Sequence, residues 1–164
     1  MKRAVAFCQV IEITNTAKNH KVSSKQIAGM FQKVVEEYQR TEEFEQIEKL
    51  VCEAEHVDGS MNATEKKSKI EWLKADTDEN VCRILSNVRC LSEGVDVPSL
   101  DAVLFLTPRS SQVDVVQSVG RVMRRAEGKE LGYVILPVVI PAGEEPENAL
   151  NNNQAYRVVW QVLN

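Results

Sequence analysis

Apolar positions along the chain alternate between short β-prone runs and longer stretches striped every three to four residues. Arg3 to Ile11 (RAVAFCQVI) is a nearly continuous β-prone run, the pattern of a strand covered on both faces. After a polar loop, Ser23 and Ser24 can cap a helix in which Ile27, Phe31, Val34, Val35 and Tyr38 share one stripe. A second helical piece aligns Phe44, Ile47, Leu50 and Val51. Glu55 to Val57 predicts at most a short strand, stopped by Asp58-Gly59. Asn62 to Ala75 predicts a third helix, with Ile70 and Leu73 inward and its Glu/Lys run in solvent. Strands follow at Val81 to Val88 and at Ala102 to Thr107, the second opened by Pro98-Ser99 and closed by Pro108. Gln112 to Arg125 predicts a helix and Gly132 to Val138 a further strand. Residues 141 to 153 predict a polar loop, and Ala155 to Leu163 a last amphipathic helix. This alternation predicts βαβ units, hence an α/β fold of three layers around a mainly parallel sheet.

Length and composition narrow the class. A chain of 164 residues fits one domain, 1–164, and a 43% hydrophobic content supplies a core and excludes disorder. The longest uncharged apolar stretch, Val134 to Ala142, falls far short of the roughly 20 residues a bilayer needs. Near the N-terminus the apolar run is broken by Gln9 and Glu12, unlike a signal peptide, so a cytoplasmic protein with no membrane partner is expected. Cys8, Cys52, Cys82 and Cys90 lie far apart, with His20 and His56 the only further soft ligands, which predicts reduced thiols and no metal site. A net charge of −4 gives no general support for nucleic-acid binding, so any such role must rest on local motifs. Both ends stop tightly against predicted apolar elements. An excerpt of a longer protein, cut near the 141–164 loop and terminal helix, is expected.

The helix from Gln112 to Arg125 carries the chemistry. At about 100° per residue, Gln117, Arg121 and Arg124 fall within about 60° of one another, while Gln112, Val115, Val116, Val119, Val122 and Met123 occupy the opposite arc. One face thus packs inward, and an amide and two guanidiniums project together from the other. Guanidiniums match phosphate or carboxylate oxygens bidentately, so either anion is a candidate ligand.

These residues also carry a resemblance. QSVGRVMRR (117–125) resembles motif VI of superfamily-two helicases, (Q/H)xxGRxxR, and NVRCLSEGVDVPSLDAVLFL (87–106) resembles their motif V. AVAFCQVI (4–11) looks like the motif IV strand, and HVDGSMNATEKK (56–67) like the glycine loop and helix start that follow it. Four motifs in order over nearly the whole chain resemble the second lobe of this family. Their wording is closest to the helicase-like subunits of restriction-type, DNA-translocating enzymes rather than RNA-specific DEAD-box proteins.

The resemblance implies a RecA-like, P-loop-NTPase-like lobe that completes an ATP site with an N-terminal RecA-like lobe of the same parent chain. This sequence has no G-x-x-x-x-G-K-[ST] and no acidic D-E-x-[DH] box, so ATP with Mg²⁺ is expected only in the complete two-lobe protein, and no activity from this chain alone. Gln117, Arg121 and Arg124 match the motif VI positions that reach the γ-phosphate, with Arg124 the arginine finger. Gly94 and Asp96 match the motif V pair near the nucleotide. For DNA, the resemblance implies phosphate contacts from the backbone of Gly59, Ser60 and Met61 and from Lys66, whose neighbour Lys67 equally fits a solvated helix face. Where motif V usually has Thr or Ser, this chain has Val88, and Asn87 or Ser92 is the substitute. The helical length in 21–52 exceeds a minimal lobe. The implied function is the second motor lobe of an ATP-dependent DNA helicase or translocase; the alternative is a non-catalytic RecA-like module that binds nucleic acid or protein. A Rossmann-type enzyme is excluded, because no G-x-G-x-x-G follows the first strand.

Overall fold

A computed structural model describes residues 2–13, 21–40, 49–88, 91 and 100–164. Five parallel strands, β1 (Arg3–Phe7), β2 (Val51–Val57), β3 (Val81–Asn87), β4 (Ala102–Phe105) and β5 (Tyr133–Ile135), form one sheet in the order β2-β3-β1-β4-β5. The helices are α1 (Ser24–Tyr38), α2 (Ala63–Lys74), α3 (Gln112–Met123), α4 (Pro146–Asn152) and α5 (Arg157–Leu163).

Because side chains alternate along a strand, register sorts the core into two halves. Val57, Leu85, Val5, Phe7, Val103 and Phe105 face one side, where Leu73 of α2, Val115, Val119 and Val122 of α3, and Val159 of α5 cover them. Ala4, Ala6, Cys52, Cys82, Ile84, Ala102 and Leu104 face the other, packed by Phe31 and Val35 of α1. The three-layer α/β expectation holds, with the helices unequally divided between the faces.

Basic side chains pin the amino edge of the sheet. Arg3 donates to the carbonyls of Leu73 (3.1 Å) and Lys74 (2.9 Å), and Arg83 donates to Trp72 (2.6 Å) while lying over its ring. The carbonyls that α2 leaves open at its C-terminus are thereby satisfied. Asp101 accepts from the backbone N–H groups of Lys2 and Arg3, fixing β4 beside β1.

The outer edge of β2 is closed by amides. Val51 turns its N–H to Asn80 on the β3 side, so Leu50 and Cys52 present their backbone groups outward. Gln39 donates to the Leu50 carbonyl (2.9 Å) and accepts its N–H (2.6 Å), and Gln32 accepts the N–H of Cys52. Side-chain amides here stand in for a neighbouring strand.

Several boundaries differ from the sequence reading. Strand β1 ends at Phe7, beyond which Val10 forms an isolated bridge with Ser23. Leu50 and Val51 are not helical: Val51 opens a full seven-residue strand where only Glu55 to Val57 was expected. Glu53 and Glu55 disguise that strand, and they are held by Arg83 and Lys69, both at 2.6 Å. Val34 and Tyr38 stay exposed on α1. The last strand contracts to three residues, and the polar stretch 141–153 contains α4, anchored by Ala149. Phe44 and Ile47 lie outside the described residues.

Candidate nucleotide and nucleic-acid site

Ser111 caps α3 by accepting the N–H of Asp114, whose carboxylate complements the positive end of the helix. Val115, Ser118, Val119 and Val122 form the buried face, and the Ser118 hydroxyl is satisfied by the Asp114 carbonyl at 2.7 Å. The buried arc is narrower than the wheel predicts. Gln112 is exposed, and Val116 and Met123 remain 50% and 69% exposed, because α3 lies over β4 and the short β5, and among the described residues no strand lies beyond β5.

Gln117, Gly120, Arg121 and Arg124 line one open cleft of about 450 Å³. The three predicted polar side chains are therefore brought together, by a different route from the helical wheel. The helix ends at Met123; Arg124 is its C-cap in extended conformation (φ −61°, ψ 132°), and Arg125 lies beyond it. Arg121 is half-buried and donates to the carbonyl of buried Leu91, tying α3 to the segment that follows β3. Ser92, Gly94 and Asp96 of that segment lie outside the described residues.

The loop after β2 is folded inward. Buried Asp58 accepts both the N–H (2.8 Å) and the hydroxyl (2.5 Å) of Ser60, and His56 lies 3.6 Å from its other oxygen. These Ser60 hydrogen bonds hold the Asp58 carboxyl below its ordinary range, and His56 adds to the effect. The Ser60 N–H expected to meet a phosphate is thus engaged within the loop. At the start of α2, Asn62 and Glu65 complete a reciprocal capping box. Lys66 leans back to the Gly59 carbonyl at 3.5 Å, leaving Gly59 and Ser60 at the surface and Met61 against the core. Asn87 is fully buried: its amide donates to Ala6 at 3.1 Å, and it sits inside the sheet rather than on a strand-exit surface.

A second cavity, about 580 Å³, opens at the carboxyl ends of β1 and β4, lined by Cys8, Gln9, Thr107, Arg109, Ser111 and Asp114 among others. This is where the strand order reverses, the crevice in which open α/β sheets bind ligands. The Arg109 guanidinium lies 4.5 Å over the Phe7 ring, itself stacked on Phe105. Sequence reasoning missed Arg109, because only the strand order brings the end of β4 beside the end of β1.

The helicase conserved C-terminal domain family matches residues 3–126, from β1 through the turn after α3. This chain belongs to that family. Over 99% of its length the helicase domain is similar to part of the ATP-dependent Type ISP restriction-modification enzyme LlaBIII, solved bound to DNA. The identity is 46%, the TM-score 0.72, and the match covers 10% of that chain. A protein described as a helicase from Sulfolobus islandicus filamentous virus is 33% identical over 82 residues, 50% of this chain and 14% of the relative. A probable helicase from African swine fever virus is 40% identical over 100 residues, 47% of this chain and 12% of the relative. The domain thus spans a small part of each.

The described cysteines of the helicase domain are buried. Burial pushes the Cys8 thiol up to about 11, against a smaller opposing effect of Arg109. Cys52 and Cys82 are register partners on β2 and β3, both buried, and their mutual contact with burial pushes the Cys52 thiol far up. Among the described residues no cluster of His, Cys, Asp and Glu is arranged to hold a metal, and no helix is long and apolar enough to cross a membrane.

Proposed function

We propose that this helicase C-terminal domain is the second RecA-like motor lobe of an ATP-dependent DNA helicase or translocase, one domain spanning 1–164 and completed by an N-terminal lobe of the same parent chain. One observation carries the reading: an amide and two guanidiniums line a single open cleft, and among the described residues no carboxylate lines it with them. That donor set fits a polyphosphate. It does not fit Mg²⁺, whose oxygen ligands would come from the opposite lobe. Bound ATP supplies the phosphoanhydride whose cleavage drives the motor. Gln117 orients, and Arg121 and Arg124 neutralise charge on the transferring phosphoryl group, an effect worth about 10³ to 10⁵ in rate for an arginine finger. Gly94 and Asp96, in the segment that Arg121 anchors through Leu91, are assigned to the nucleotide's edge.

DNA is assigned to the carboxyl edge of the sheet. Gly59 and Lys66 would meet the strand at the end of β2, while Ser60 and Met61, held to Asp58 and the core, fix the loop that presents them. Arg109 and the hydroxyls of Thr107, Ser110 and Ser111 would extend that contact over the β1–β4 crevice. Asn87 supports this edge from within the sheet, and Ser92 takes the strand-exit contact. The restriction enzyme that this chain resembles is named as ATP-dependent and was solved on DNA, which supports both ligands.

Arg124→Lys in the ATP-hydrolysing parent protein tests the reading, since it keeps the charge and loses the fork. We expect kcat to fall by about 10² or more with little change in nucleotide affinity or in DNA affinity without nucleotide. Arg125→Lys, one residue further outside the helix, should be nearly silent. Equal losses from the two substitutions, or a loss of DNA binding alone, would sink the assignment.

A further inference from the structure

The chain leaving α3 reverses at Gly128, which adopts the left-handed conformation (φ 72°) that glycine takes without strain. The reversal is closed by the Lys129 N–H donating to the Ala126 carbonyl at 3.1 Å. It returns Lys129 beneath the end of the helix. There its ammonium donates to three backbone carbonyls: Val122, Arg124 (3.0 Å) and Leu100 (2.6 Å). An ammonium has three donors and no acceptor, so all three are used. The placement is favourable twice over: a cation sits at the negative end of a helix, and carbonyls left open by the last turn are satisfied. The three carbonyls belong to different pieces: Val122 to the helix, Arg124 to its extended C-cap, and buried Leu100 to the entry of β4.

The consequence lies in the position of Arg124. Gln117 and Arg121 are held on α3 by the helix itself, but Arg124 is not helical, so helical geometry does not fix its distance from them. The bond from Lys129 to its carbonyl holds its backbone, with the bonds to Val122 and Leu100 as anchors. We propose that Lys129 is a positioning residue for the arginine finger: it clamps the backbone of Arg124 to the end of α3 and the start of β4, so that the guanidinium enters the cleft beside Gln117 and Arg121. The inference rests on the motor-lobe reading above and assigns a role to a residue outside the four helicase motifs.

The test uses the ATP-hydrolysing parent protein, with Lys129→Met, Arg124→Lys and the double substitution. Lys129→Met keeps much of the apolar stem and removes every donor. We expect its kcat to fall about tenfold to a hundredfold, as for other misplacements of a reacting group, with the KM for ATP and DNA affinity within about twofold of wild type. Lys129→Gln, which keeps two donors on a shorter stem, should fall between and serves if the methionine variant folds poorly. The double substitution is decisive. If Lys129 acts through Arg124, kcat of the double variant should match that of Arg124→Lys, whereas a general loss of stability would multiply the two effects. A kcat within twofold of wild type for Lys129→Met, well below its melting temperature, beside a hundredfold loss for Arg124→Lys, would overturn the clamp and leave the finger standing. An unchanged kcat for Arg124→Lys would overturn the finger itself, and the clamp's function with it.

Discussion

Asp58 decides how the loop after β2 behaves. Its carboxylate accepts two hydrogen bonds from Ser60 in a buried position, so the charged form is favoured in the folded chain. A carboxyl lowered by folding contributes stability that is present above its unfolded pKa, about 3.9, and lost as pH falls through the folded value. Asp58→Asn should therefore cost about 1–3 kcal/mol at pH 7 and flatten the decline in stability below about pH 4. Urea unfolding at pH 7 and pH 3 measures both effects, and an unchanged acid slope would rule Asp58 out as its source. At this scale the sequence was most informative where a motif names a side chain, as with Gln117, Arg121 and Arg124, which do share a cleft. It was least informative where the partner is distant along the chain. Nothing local to Lys129 or Arg109 points to Leu100 or to the ring of Phe7.

Helix α3 illustrates what periodicity conveys. Val115, Val119 and Val122 are read correctly as core, since they combine apolar character with helical spacing. Val116 and Met123 have the same character and spacing but stay exposed, because burial also requires an opposing surface, and β5 is the last strand on that side among the described residues. Strand β2 fails in the opposite sense: its two glutamates suppress the strand pattern, yet Arg83 and Lys69 satisfy them at an edge. One approach between elements is unusually close. A Cβ on Gly132 would lie 2.6 Å from Val122 Cγ1 and 2.7 Å from the Val122 carbonyl oxygen, so α3 and the chain entering β5 touch through a glycine. The carbonyl cannot rotate away as a side chain tip could. Gly132→Ala should destabilise the domain by about 1–3 kcal/mol through overpacking, read as a lower denaturation midpoint at constant m-value. A midpoint equal to wild type would mean that the junction shifts freely.

Across the whole molecule, the parallel three-layer plan was legible because alternating strand and helix signals leave few other topologies. The strand order was not legible, and with it went the β1–β4 crevice. The amino edge carries Arg3, Arg83 and Asp101, whose bonds hold the sheet together, while the β1–β4 crevice opens at the opposite edge. From a sequence without a P-loop, clean 1–164 protein is expected to hydrolyse no ATP above buffer, with or without DNA. Turnover abolished by a substitution within the chain would show the lobe to be misassigned. The amides along β2 also bear on how this edge meets other molecules. Gln39 works because one end of its amide gives a proton and the other takes one. A carboxylate in its place, as in Gln39→Glu, would leave the Leu50 carbonyl facing a negative oxygen. That carbonyl would then be left to a donor from another molecule's strand. Concentration-dependent association of Gln39→Glu protein, absent in wild type at the same concentration, is the expected outcome, and light scattering measures it.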